Sequence, residues 1–436
     1  MAADQTATAV IQIDAVDVNQ GESDYVHGGN LDGPGVGAAS DSYALTINGW
    51  VLSKDLAVEH VEALYEERAV AAVPLDRERP DIAAGFPAVE GAERSGYSVS
   101  LSTLKLPAEF EIVLRAKLED GTRLPLASLR GRRQPLPASE EDLIQPLMVN
   151  TIGRSGSTLL VTLLSSHPDV VAFSPFIKDS RVSTYWTNVL QGLAEPASYL
   201  APFDPPDLDA PHWWLDGGSG ELGEPDVERW LGSGAVHSLA GLARAQIEDF
   251  YSHIAADRRP AYFVEKYLPH QVVPDLLAEM YPRAREVILV RDFRDMLCSV
   301  IAFNRKRGWD AFGRAEGGDD VAYVRGPLLH SALALAKRLE DRESGPRLVR
   351  YEDLVLDPDP VLSELFADLG LDHDPALVAE TVQRAEEATA AMHHHRTTSD
   401  PAASIGRWRE DLPAEIAEVC NEELGPLLAD FGYDAS

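Results

Sequence analysis

At 436 residues the chain is longer than one hydrophobic core usually serves, and two domains are expected. Its 71 acidic residues against 38 basic ones leave a formal net charge of −33, which argues against nucleic acid or an anionic membrane surface as a partner. Two cysteines, Cys298 and Cys420, cannot build a disulfide framework or a zinc site, so a reducing cytoplasm is the expected compartment.

Met1–Val10 shows neither the basic nor the apolar region of a signal peptide, and no stretch has the length needed to span a bilayer. Residues 1–135 read as strands separated by turns. Ala9–Val16, Tyr43–Leu52, Gly96–Leu101 and Phe110–Leu118 are β-rich, and Gly28–Gly37 reads as a Gly/Asp/Pro loop. Val99, Leu101, Ile112 and Leu114 recur at the period of half-buried strands, which predicts a small all-β, sandwich-like domain. The basic, proline-containing stretch Arg130–Pro137 reads as the linker, with the β-rich domain bounded at 1–135, the linker at 136–145 and a second domain at 146–436.

Beyond the linker the period changes. Leu147–Val149, Tyr262–Val264, Val287–Val290 and Leu348–Tyr351 read as strands, while Thr158–Ser166, Gln271–Met280, Arg294–Phe303 and Val361–Leu369 carry helical spacing. Strands alternating with helices predict an α/β domain, a parallel sheet with helices on both faces. Ala201–Gly234, rich in Pro, Gly, Asp and Trp, reads as an irregular insertion near the substrate side.

The sharpest feature is Gly153-Arg154-Ser155-Gly156-Ser157-Thr158, set between a strand and a helix. A tight Gly/Ser turn lets successive backbone N–H groups converge on an anion, and the helix behind it adds unpaired N–H groups and the positive end of its dipole. Ser157 and Thr158 add hydroxyls, and Arg154 adds a planar cation suited to phosphate or sulfate. A self-capped helix start would need no arginine there. The residue before Ser157 is Gly156, not the Lys of a Walker A loop.

A second cation, Arg291, ends the strand Glu286–Val290 in Arg291-Asp292-Phe293-Arg294-Asp295, with Ser299 two turns into the next helix. In a doubly wound sheet, ligands sit at the carboxyl ends of strands, where Arg291 falls.

Together these segments resemble the PAPS-dependent sulfotransferase family in its bacterial, P-loop-like form. Arg154–Thr158 match the family's 5′-phosphosulfate loop, with Arg where many cytosolic relatives carry Lys. Arg291 and Ser299 match its 3′-phosphate motif, with Phe293 in the usual place of Pro. Tyr351-Glu352-Asp353-Leu354 and Ser404–Arg409 extend the likeness over about residues 146–430. The resemblance implies PAPS (3′-phosphoadenosine 5′-phosphosulfate) as sulfuryl donor, adenosine 3′,5′-bisphosphate as product, and no metal. Gly153, Arg154, Ser155, Gly156, Ser157 and Thr158 would hold the 5′-phosphosulfate, Arg291 and Ser299 the 3′-phosphate. Ser404 and Arg407 would add contacts from the C-terminal segment. Asp353 is expected to cap a helix or turn. Ile47–Val51, Arg79–Ile82 and Ser95–Tyr97 are similar to modules that accompany bacterial glycan- and sulfate-transferring enzymes, here read as docking or spacing.

Sulfuryl transfer is in-line displacement at sulfur, and needs charge neutralised on the moving group and a proton taken from the acceptor. Arg154 suits the first task, with Lys266 at the end of its strand; Glu265-Lys266 resembles an acidic–Lys pair of carbohydrate and protein sulfotransferases. For the base, the position where a Glu is expected holds Ser174. Asp179 is the first choice and His270 the second, with Arg181 contacting the acceptor. His167 reads as structural. Trp213, with His212, Trp214 and Trp186, suits stacking on a sugar or other flat face. His393–His395 point in different directions and read as a lid, not a metal site. The expected acceptor is a hydroxyl or amine of a carbohydrate or small metabolite. Two other readings are a P-loop-type nucleotide kinase and a non-catalytic glycan-binding protein built on the β-domain.

Overall fold

The computed structural model describes residues 9–19, 25–66, 68–139, 143–173, 179–194, 233–314, 319–340, 345–390 and 400–434. The positions of Ser174, Trp213 with His212 and Trp214, nearly all of Ala201–Gly234, and His393–His395 lie outside the described residues. The chain divides into two compact units: Met1–Pro137 with Tyr185–Arg244, and Ala138–Thr184 with Ala245–Ser436.

In the first unit the strands are β1 (Ile11–Val18), β2 (Val26–Gly33), β3 (Ala39–Ser40), β4 (Ala44–Ser53), β5 (Val58–Tyr65), β6 (Arg68–Val73), β7 (Gly96–Ser102), β8 (Glu109–Leu118) and β9 (Arg123–Arg133), with helix α1 (Pro80–Gly85) before β7. They form two antiparallel sheets, ordered β3-β1-β9-β8-β5-β6 and β2-β4-β7. Val99, Leu101, Ile112 and Leu114 are fully buried, as their alternation predicts.

Two readings of this region are corrected. The first half of the expected Gly28–Gly37 loop is strand β2, with Gly28 paired to Leu52 and Gly29 to Val51. The glycines fit because β2 runs close over Trp50: a Cβ on Gly28 would lie 3.0 Å from its Cη2. The basic residues Arg130–Arg133, read as linker, complete β9. Arg133 is buried there, and its guanidinium donates to the carbonyls of Thr103, Leu106 and Gln134 at 3.1 Å each. A cation so saturated stays inside a sheet that its charge alone would forbid.

The second unit is built on five parallel strands, β10 (Gln145–Thr151), β11 (Val170–Val171), β12 (Tyr262–Tyr267), β13 (Arg285–Val290) and β14 (Arg347–Arg350), in the order β11-β12-β10-β13-β14. The longer helices that follow in the chain are α2 (Ser157–Ser166), α3 (Val182–Leu193), α4 (Ala235–Ala255), α5 (Val273–Met280), α6 (Phe293–Arg307), α7 (Leu329–Glu340), α8 (Tyr351–Leu356), α9 (Pro358–Asp368), α10 (Pro375–Ala390) and α11 (Ala414–Asp430), of which most of α3 and the start of α4 fall in the first unit.

Alternate residues of the central strands feed two cores. Leu147, Val149, Val287 and Leu289 pack with Leu160 and Leu164 of α2 and with Leu362 and Phe366 of α9. Ile288 and Val290 pack with Phe293 and Met296 of α6, Leu335 of α7 and Leu424 of α11. The sheet is thus covered on both faces, which explains why its strands read as unbroken apolar runs. The chain starts in the middle of the sheet at β10, builds one side through β11 and β12, then crosses to β13 and β14. The reversal leaves a crevice at the carboxyl ends of β10, β12 and β13. Among the described residues no helix is long and apolar enough to cross a membrane.

Candidate functional site

Leaving β10, the chain turns through Ile152–Gly156 into α2. Arg154 holds φ 73° and Gly156 φ 91°, two left-handed residues in three, and α2 begins with no side chain capping its first N–H groups. A non-glycine residue in that region costs about 1 to 3 kcal/mol and persists only where its surroundings impose it. The loop has no room for larger residues. A Cβ on Gly156 would lie 2.3 Å from the ring of Tyr351, and one on Gly153 2.5 Å from that of Phe312. Ser155 is a brace: its N–H and hydroxyl both donate to the Ile152 carbonyl, at 3.3 and 2.8 Å. Ser157 and Thr158 occupy the first turn of α2.

Arg291 leaves the end of β13 and is buried. Its Nη1 donates to the Arg154 carbonyl at 3.2 Å and its Nη2 to the Ser404 carbonyl at 2.7 Å, while its guanidinium carbon stands 4.6 Å from the centre of the Tyr351 ring. The third donor, Nε, is buried with no hydrogen-bond partner among the described residues. Ser299 lies on α6, and its hydroxyl accepts from Nε of Arg154 at 3.2 Å. The two motifs read separately from the sequence therefore meet through Arg154, whose backbone touches Arg291 and whose side chain touches Ser299.

The C-terminal segment joins them. Asp295, in the first turn of α6, accepts from the N–H groups of Gly406 and Trp408 at 2.6 and 2.9 Å, and so anchors the stretch carrying Ser404 and Arg407. Ser404 is buried with its hydroxyl 3.2 Å from that of Tyr351. Arg407 donates to the Cys298 carbonyl at 3.1 Å and pairs with Asp411 at 2.9 Å.

The electrostatics of this cluster are lopsided. Burial pulls the Arg154 guanidinium down to about 10, and the nearby charges of Arg291, Arg307 and Arg407 push the same way. Cations gathered this closely, Arg291 among them buried, in a chain of net charge −33, fit a multiply charged anion. The orphaned Nε of Arg291 adds a buried donor without an acceptor.

Lys266 ends β12 one residue before Tyr267, and strand alternation puts it on the face of Tyr262 and Val264, the one covered by α2. Its Nζ stands 3.8 Å from Asp179, whose other oxygen is 3.6 Å from Arg181. Burial lowers the Lys266 ammonium below its ordinary value; Asp179 opposes this and Arg181 adds to it. Glu265 and Lys266 do not pair with each other. It points to the opposite face, fully buried, and accepts from the Ser183 N–H and hydroxyl and from the hydroxyls of Ser180, Tyr251 and Tyr267. Burial pushes its carboxyl up.

His270 lies in the turn after β12, its ring 6.4 Å from that of His330 on α7. His167 is buried, bonded to the Asp372 carbonyl at 2.9 Å and to the Asp169 N–H at 3.1 Å, a structural role as its sequence context predicts. Asp353 is exposed in the first turn of α8 and makes no side-chain cap. The structural carboxylate of that segment is Glu352, which accepts from the Asp292 N–H at 3.0 Å and the Tyr433 hydroxyl at 2.7 Å. Among the described residues no cluster of His, Cys, Asp and Glu is arranged for a metal ion.

Sequence reasoning missed Asp295, Tyr351 and Phe303 as parts of the site. Phe303 alone had a local signal: it follows Ser299 by four residues, hence shares its helix face, and the Arg154 guanidinium lies 4.5 Å from its ring centre.

A profile described as the Sulfotransferase family matches residues 146–375, more than half of the chain. Carbohydrate sulfotransferase 5 of Mus musculus is 27% identical over 377 residues, covering 76% of this chain and 91% of that protein. Carbohydrate sulfotransferase 3 of Tetronarce californica is 28% identical over 156 residues, which is 33% of this chain and only 35% of that relative. Among solved structures, the Sulfotransferase Domain from the Curacin Biosynthetic Pathway is 16% identical with a TM-score of 0.39, over 69% of this chain and 99% of that one. The arginine loop and the second arginine both fall inside the matched stretch, and the chain belongs to the Sulfotransferase family.

Proposed function

We propose that the domain over residues 146–436 moves the sulfuryl group of PAPS to a hydroxyl or amine of a carbohydrate or small metabolite, with residues 1–135 as an accessory domain. The observation that carries this reading is the meeting of Arg154 and Arg291, from the ends of adjacent strands, with Ser299 of α6, and with one buried donor unused. Two cations reaching from separate strand ends suit the two ends of one doubly phosphorylated nucleoside.

When bound, PAPS supplies an activated sulfuryl group and a good leaving group. Every other part belongs to the chain. The loop 153–158 and the start of α2 offer N–H groups to the phosphosulfate end, and Arg154 neutralises charge as it builds on the transferring oxygens. Arg291 and Ser299 take the 3′-phosphate, with Ser404 and Arg407 closing over the nucleotide from the C-terminal segment. Lys266 offers a cation on the α2 face of the sheet. Asp179, held beside it, is the first choice to take the acceptor's proton and His270 the second; Arg181 faces the acceptor.

Calorimetry with adenosine 3′,5′-bisphosphate against ATP, followed by transfer of radiolabelled sulfate from PAPS to a panel of sugars and phenols, tests this. Tighter binding of the bisphosphate, with label appearing in at least one acceptor, is expected. Preference for ATP would make the protein a phosphotransferase. Bisphosphate binding without any transfer would leave a nucleotide-binding protein and end the proposal.

A further inference from the structure

Helix α6 ends in Arg305-Lys306-Arg307, closed by Gly308 at φ 78°. The chain then turns and presents two aromatic rings to solvent: Trp309 is 56% exposed and Phe312 41%. Phe312 holds φ 62°, a left-handed conformation that a bulky residue adopts only at a cost of about 1 to 3 kcal/mol. The turn is pinned from inside. Buried Asn304 accepts from the Ala311 N–H at 3.0 Å and donates to Asp310 at 3.3 Å, and Arg314 bonds Asp310 and Asp320 at 2.8 Å each. The Phe312 ring so placed packs on Gly153 and lies 5.5 Å from the ring of Phe303, with its outer edge open to solvent.

This surface borders the sulfate loop. The guanidinium carbons of Arg154 and Arg307 lie 4.5 and 4.6 Å from the centre of one ring, Phe303. Arg307 stands 5.8 Å from Trp309, and Arg154 stands 6.0 Å from Phe312. Arg307 makes no ion pair among the described residues, and the acidic neighbours Asp310 and Asp320 are both engaged by Arg314. Cations in the last turn of a helix complement its dipole, which accounts for Arg305–Arg307 on their own. The dipole does not account for the exposed ring of Trp309, and the partly exposed Phe312 continues the same aromatic surface.

We infer that Arg307, Trp309 and Phe312 form the acceptor subsite, and that the acceptor is an acidic sugar, a glycan bearing carboxylate or sulfate groups. The C–H face of a pyranose lies on the aromatic rings, and the guanidinium fork takes the anion. The inference rests on the reading of Arg154 as the residue that holds the sulfuryl group: an attacking oxygen must come within about 3.5 Å of its target, and this exposed surface adjoins that arginine.

The full chain is assayed with labelled PAPS on a uronate-containing oligosaccharide and on the same oligosaccharide with its carboxylates reduced to alcohols. The acidic form is expected to react with a kcat/KM about tenfold higher or more. Trp309→Ala should raise the acceptor KM about tenfold while leaving the affinity for adenosine 3′,5′-bisphosphate unchanged by calorimetry. Arg307→Gln should abolish the preference between the two acceptors. Equal rates on both forms, or an acceptor KM indifferent to Trp309, would overturn the subsite. Activity confined to neutral phenols would do the same while leaving sulfuryl transfer intact. Absence of bisphosphate binding would instead strike the reading of Arg154 on which the subsite rests.

Discussion

The carbonyl of Arg154 accepts a hydrogen bond from Nη1 of Arg291 at 3.2 Å, so arginines from two different strand ends form one unit. The left-handed φ of Arg154 belongs to the same turn that brings this carbonyl to its partner. Arg291 therefore clamps the loop, beside the anion-binding role proposed for it.

Replacing Arg291 with Ala should weaken binding of adenosine 3′,5′-bisphosphate by about 30-fold or more, the scale of losing hydrogen bonds to a charged group. Binding of AMP, which lacks the 3′-phosphate, should weaken less. Calorimetry with the two nucleotides separates the roles: equal losses would mean that Arg291 serves the loop alone.

The two close approaches in the loop differ in kind. Gly153→Ala meets only the Phe312 ring, and should cost about 1 to 3 kcal/mol of stability that Phe312→Ala largely restores. Gly156→Ala meets the Tyr351 ring and also carries φ 91°, so Tyr351→Ala should not rescue it. Thermal melting of the four single and double variants checks the contrast.

Lys266 sets a pH dependence with a defined sign. Burial holds its ammonium below the ordinary lysine value of 10.5, so the unfolded chain binds more protons in the window beneath that value, and stability rises with pH there. If transfer needs the charged form, the alkaline limb of kcat/KM falls below the ordinary lysine range. Asp179→Asn removes the charge that favours the ammonium and should move the limb to lower pH. Arg181→Ala removes one that opposes it and should move the limb higher. Limbs that stay in place in both variants would take Lys266 out of the reaction.

Glu265 braces the chain ahead of α3. It receives the Ser183 N–H at 3.2 Å and the Ser180 hydroxyl at 3.3 Å, one residue away from Asp179. Glu265→Ala would strand several buried donors, at a cost of roughly 3 kcal/mol or more. Its raised carboxyl pKa means that this group's contribution to stability is largest below the ordinary value of 4.5 and is lost as pH rises through the folded value. Urea melts across that range, with Glu265→Gln as the uncharged control, should show the slope in the wild type and not in the control.

Much of the catalytic domain was legible in the sequence because its signals are local. A strand, a glycine turn and a helix start occupy Leu147–Ser166 without interruption, and the spacing from Arg291 to Ser299 is a property of one helix. Likewise, the apolar runs of β10, β12 and β13 announce strands buried on both faces. In the first unit local signals misled. Glycines in β2 and arginines in β9 are poor strand residues taken singly, and their strands exist because other strands, β4 beside β2 and β1 and β8 beside β9, pair with them.

What the sequence by itself determined was the parallel sheet and the two arginine-bearing turns at its strand ends, since period and turn chemistry are written over a few consecutive residues. Only the tertiary structure decided that Arg154 joins the segments, that Glu265 and Lys266 part to opposite faces, and that Asp295 holds a stretch 111 residues onward. Such contacts depend on where separate elements come to rest against each other, and a carboxylate reads the same in sequence whether its partner is a neighbouring lysine or a distant N–H.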